Sequence, residues 1–135
     1  MSQDTQFERA LFRTPKGVVK VHFNPGTLQY TITNTMQQRG GGNKQFVTGS
    51  TGKLTMDLIF DTTHDGSDVR IETEKIRKMM KPENKLVPTI TFEWGLYKFE
   101  GTMETYKETL DFFSPNGVPL RASLSLGMAA TKDHE

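Results

Sequence analysis

The chain contains no cysteine. That removes disulfide staples, thiol nucleophiles and thiolate metal sites together. An excess of one charge is missing too: 17 Lys and Arg face 16 Asp and Glu, for a net charge of +1. A surface that near to neutral exerts no general pull on nucleic acid or on acidic membranes. No apolar run approaches the roughly 20 residues that span a bilayer, so direct membrane insertion is not expected. The opening MSQDTQFERALF lacks the basic and apolar regions of a secretory signal, and cytoplasm is the expected compartment. Alanine is scarce while threonine and glycine are plentiful, which favours β structure.

What is present is alternation. A length of 135 residues fits one domain with one core. Residues 1–12 read as a polar lead-in with Phe7, Leu11 and Phe12 as anchors, 13–128 as the β domain, and 129–135 as a tail. GVVKVHF points Val19, Val21 and Phe23 one way and Lys20 and His22 the other, as a half-buried strand does. After the turn Asn24-Pro25-Gly26, TLQYTITN alternates again, and so does KLTMDLIFDT. Between them, Arg39 to Lys44 carries three successive glycines and no apolar residue; MQQRGGGNKQFVTGSTG reads as a long loop.

The period then changes. Ser67 or Asp68 can cap a helix with Val69, Thr73, Ile76 and Met80 on one stripe and Met79 beside it. Glu72 and Glu74 lie early and Lys75, Arg77, Lys78 and Lys81 late, an order that suits the helix dipole; Pro82 ends it. Strands resume after Pro88 with Ile90, Phe92 and Trp94, then Tyr97 and Phe99, with Gly101 as a bulge or bend. Met103 to Phe113 reads as a further strand, though TYKETLDFF also tolerates a helix. Ser114-Pro115-Asn116-Gly117 is a turn, and the last strand alternates Leu120, Ala122, Leu124, Leu126 and Met128 with Arg121, Ser123, Ser125 and Gly127. The expected fold is mainly β with one helix: two packed antiparallel sheets, a sandwich or barrel, flanked by the helix.

Chemistry is sparse. His134 lies in the tail, and His22 reads as a surface histidine on a strand's polar face. Asp61, His64, Asp65 and Asp68 share one loop and could ligate a divalent cation. Their spacing departs from the calcium-loop pattern, so a polar turn that caps the helix is the reading adopted, and no metal is expected. RGGGNK lacks the GK[ST] ending of a phosphate loop and no helix follows it. No nucleophile elbow appears, and no carboxylate pair sits in an identifiable apolar pocket, so neither an enzyme nor a cofactor is expected. Phe92, Trp94, Tyr97 and Phe99 have only Lys98 interleaved, against Glu93 and Glu100, so core packing outweighs nucleic-acid stacking.

Several segments in order carry a resemblance. They are FNPGTLQYTITN (23–34), the glycine loop, GKLTMDLIFDTTHDGSDVRIETEKI (52–76) and PTITFEWGLYKFEGTMETYKETLDFFSPNGVPLRASLSLGM (88–128). Together they resemble the tube-protein domain of contractile injection systems and contractile phage tails, most nearly the baseplate-proximal tube adaptor. Longer members of that family continue into a LysM module; the sequence here ends at Glu135, so no peptidoglycan binding is expected. The resemblance implies a six-fold ring around a central channel, joining the spike hub to the inner tube. Repeated inner-tube protein of the same particle is the alternative it leaves open, and a small metal-dependent enzyme is the alternative from another class. Implied partners are further copies of the chain, inner-tube protein, spike or hub protein and baseplate proteins. Assembly is expected in the bacterial cytoplasm, and the product in a phage tail-like particle. Interface candidates are Asn24, Pro25, Arg39, Gly40, Gly41, Gly42, Asn43, Asp61, Asp65, Pro119 and Arg121. The strands flanking the glycine loop are the preferred lining of the channel.

Overall fold

The structure is a computed structural model that describes residues 8–38 and 45–131. Its elements run β1 (Leu11–Thr14), β2 (Gly17–Lys20), β3 (Gln29–Gln38), β4 (Gln45–Asp61), α1 (Arg70–Arg77) with a 3₁₀ turn at Lys78–Met80, β5 (Ile90–Trp94), β6 (Tyr97–Phe113) and β7 (Pro119–Ala130). Mainly β with one helix is what forms. The expected pair of packed sheets is replaced by one antiparallel sheet in the order β2-β1-β5-β6-β7-β4-β3. It is not closed: β2 and β3 are its edges and do not pair with each other.

One face of this sheet supplies most of the core. Register aligns Phe12 with Phe92 and Phe92 with Phe99 across β1, β5 and β6. Further along, Leu54, Met128 and Met103 form a second row across β4, β7 and β6. All six are buried, as are Met56, Leu58 and Phe60 of β4 and Leu124 and Leu126 of β7. The helix covers this face with Ile76 and the turn after it with Met79. The sheet coils around what it encloses. Tyr30 on the β3 edge reaches Phe99 three strands away, with ring centroids 5.9 Å apart. From beyond the other edge, His22 lies 4.6 Å from the Phe60 ring.

Local differences from the sequence reading have local causes. GVVKVHF is strand only through Lys20; Val21 is buried but Phe23 is exposed. His22 is no plain surface histidine. Its Nδ1 accepts the Asp61 backbone N–H at 3.3 Å, and its Nε2 lies 3.5 Å from Glu72. The segment expected as loop is strand at both ends, to Gln38 and from Gln45, because the β3–β4 pairing continues to Gln38 opposite Gln45. Cross-strand hydroxyls help hold it: Thr48 Oγ1 donates to the Thr35 carbonyl and Ser50 Oγ to Asn34. Gly101 is not a bulge; it pairs with both Ile90 and Ala130, and the register shift comes at Met103/Thr105. The helix starts at Arg70, whose N–H is accepted by the Asp68 carboxylate at 2.9 Å.

Tyr106 ties the helix to β6. Its hydroxyl donates to Glu108 at 2.9 Å and lies 3.4 Å from the Thr73 carbonyl. Burial, then the Glu108 carboxylate, pushes the pKa of the Tyr106 hydroxyl up from 10.0 to about 12. A group that titrates higher when folded contributes stability in full below its unfolded value and loses it as pH rises. Stability is therefore expected to fall additionally between pH 10 and about 12. Thermal melts across that window test this: Tyr106→Phe should lack the extra decline, and parallel curves for the two proteins would contradict the assignment.

Candidate assembly surface

The four long strands turn their other face to solvent. Because directly paired residues share a face, register defines its rows. Gln29, Thr55, Gly127 and Thr105 form one row across β3, β4, β7 and β6. Asp57, Ser125 and Lys107 form the next, and Ile59, Ser123 and Thr109 the one after. All of these but Gly127 are exposed. The surface is hydroxyl-rich, with isolated charges of both signs. Gly127 is there for closeness: a Cβ on it would collide with the Thr105 hydroxyl and touch Thr55.

This four-stranded region has open edges. Among the described residues, β3 pairs only with β4. β6 pairs with β5 only from Tyr97 to Gly101, so beyond Gly101 its only described strand partner is β7. Two long antiparallel edges thus flank one polar face. Such edges present unpaired N–H and C=O groups and accept a further strand.

The sequence-derived candidates fall in different places. Asp61 and Arg121 are register partners on the polar face, with Arg121 Nε donating to Asp61 Oδ2 at 3.1 Å. The Arg121 guanidinium also stands 4.6 Å over the Phe112 ring. Hydrogen bonds from the Thr63 hydroxyl and N–H, with a lesser one from Arg121, hold the Asp61 carboxyl at about 2. Asn24 spends its amide internally, accepting from the Ala10 N–H and donating to the Glu8 carbonyl, both at 2.8 Å. Pro25 and Pro119 are buried, and the Pro119 carbonyl accepts the Val69 N–H. Asp65 accepts the Ser67 N–H, which with the Ser67 hydroxyl holds its pKa below the usual carboxylate value. Arg39, Gly40, Gly41, Gly42 and Asn43 lie outside the described residues.

The acidic loop is organised as a turn. Asp61 engages Thr63 and Arg121, Asp65 engages Ser67, and Asp68 engages Arg70. No group of three His, Asp or Glu among the described residues is arranged to hold a metal. Phe92 and Phe99 are fully buried, as core packing requires, and Trp94 donates its indole N–H to the Glu8 carbonyl at 3.1 Å. The sequence reading missed the share of β6 in the polar face. Thr105, Lys107 and Thr109 alternate outward there, but the register shift before them disguises their parity.

No helix among the described residues is long and apolar enough to cross a membrane. No curated protein matches the chain. The model of the contractile injection system tube protein family matches residues 4–135, nearly the whole sequence. With that match on a β fold whose long strands leave open edges beside a solvent-facing polar surface, the chain belongs to the contractile injection system tube proteins.

Proposed function

We propose that the protein forms a six-fold ring whose polar face lines a central channel, and that this ring is a layer of the tube at its baseplate end, joining the spike hub to the inner tube. One observation carries the reading: four long strands bear a small, hydroxyl-rich face between two open edges. Pairing β3 of one copy with β6 of the next would extend the sheet and remove both edges. The contact is head-to-tail, which closes when the rotation between copies permits. Thr and Ser suit a channel wall that is wet and holds cargo weakly. The function is mechanical: the ring passes thrust between spike and tube and breaks no covalent bond. Assembly takes place in the bacterial cytoplasm, with inner-tube, hub and baseplate proteins as neighbours. The baseplate position rests on the sequence resemblance, and the repeated inner-tube role fits the same surface. Copy number per particle separates the two: one or two rings for the adaptor, many for the tube.

The absence of cysteine allows a clean test of the channel. Ser125→Cys places a single thiol on the exposed face. In the free protein, a small maleimide and a polymer-linked maleimide should both react. In assembled particles only the small reagent should react. Equal labelling by the bulky reagent in particles would mean that the face looks outward.

A further inference from the structure

A cleft of about 550 Å³ lies apart from the polar face, between the β1–β2 hairpin and the end of the helix. Its lining includes the buried side chains of Met79 and Ile90, and Val18, which is 47% exposed. Four lysines line it: Lys16, Lys75, Lys78 and Lys81. Its one acidic lining residue is Glu83, already 2.7 Å from the Lys16 ammonium. Lys75 is paired with Glu72, whereas Lys78 and Lys81 make no ion pair among the described residues. Cations at a helix C-terminus offset its dipole, which accounts for Lys75 and Lys78. It does not account for Lys16, which comes from the hairpin, or for Lys81, which lies past the last helical turn.

We propose that this cleft docks an acidic segment of a partner protein, one with carboxylates around a single apolar side chain. The lysines supply the complementary charge and the apolar lining a seat for the anchor. A free phosphate or a nucleic-acid backbone would leave that apolar lining uncovered. The inference concerns the free subunit and stands or falls separately from the ring reading.

The test uses the full-length protein and two fluorescent peptides, Asp-Glu-Leu-Glu-Asp and its amide counterpart Asn-Gln-Leu-Gln-Asn. Anisotropy should show binding of the acidic peptide alone, weakening as salt is raised. Lys78→Glu with Lys81→Glu should weaken it about tenfold or more, with only the small drop in Tm that a reversed charge at the helix C-terminus brings. Lys78→Gln with Lys81→Gln should fall between, which guards against a folding defect in the reversed variant. Carbodiimide coupling should join the acidic peptide to Lys78 or Lys81. Equal binding of the amide peptide, indifference to both double variants, or coupling elsewhere would overturn the proposal. So would carbodiimide links from Lys78 or Lys81 to a second copy of this chain in the absence of peptide.

Discussion

Phe92→Ala is expected to lower the stability of the isolated protein by about 3–5 kcal/mol. Phe92 is 0% exposed and sits in the middle of the Phe12–Phe92–Phe99 row. Its ring is 5.2 Å from Phe12 and 6.3 Å from Tyr97, so truncation empties a space lined by aromatic groups. Those rings are fixed by strand pairing on both sides and cannot collapse into the gap. For a chain of this length the loss corresponds to a fall in Tm on the order of 10–15 °C. Phe92→Leu, which keeps most of the volume, should recover more than half of it. A urea midpoint that barely moves in the alanine variant would show that the row is not the centre of the core.

Gly101→Val should be the most damaging small change. A Cβ at this position would overlap the Ala129 carbonyl oxygen and crowd Ala130 Cα, both backbone. Neither can swing aside as a side chain could. Gly101 also pairs on both sides, with Ile90 and Ala130, so relief on one side strains the other. The cost is expected at or above the top of the roughly 1–3 kcal/mol range typical of overpacking. Gly49→Ala is the control. Nothing stands within 4 Å of its added Cβ, and the change should stay within about 0.5 kcal/mol of zero. Chemical denaturation of the three proteins decides. If both glycine variants unfold at the wild-type midpoint, the close approach of β6 and β7 is not as described.

Strands that keep one oily face were legible in the sequence. In β4 and β7 the buried set (Leu54, Met56, Leu58, Phe60; Ala122, Leu124, Leu126, Met128) falls on every second residue. The helix was legible from its change of period and from Pro82. β6 read ambiguously for a definite reason. Phe99 and Met103 point inward at odd positions; after the register shift Tyr106 and Leu110 take over at even ones. Met103, Tyr106 and Leu110 therefore imitate a helical spacing within a strand. The first part of β4 was missed because its partner is one long strand rather than the core. Phe46 and Val47 are both exposed there, and no buried face marks the period. That the strands form one coiled sheet rather than two depends on which strand lies beside which, and no local residue pattern carries that. The candidate surface divides likewise. The polar residues of β7 announced themselves by alternation, while the burial of Pro25 and Pro119 and the internal use of Asn24 depend on distant chain segments.

The open edges have a consequence for how a ring built on them would fail. Hydrogen bonds between strands lie perpendicular to the strands. A force along the strands shears the whole ladder at once, whereas a force across them peels it one bond at a time. Strands in a barrel tilt about 35–45° from the axis, so most of an axial thrust would run along them. β3 runs for ten residues, and the 17-residue β6 is open from Thr102 to Phe113, beyond its pairing with β5. Joined edge to edge, they would resist being pushed far better than being pried apart from the side.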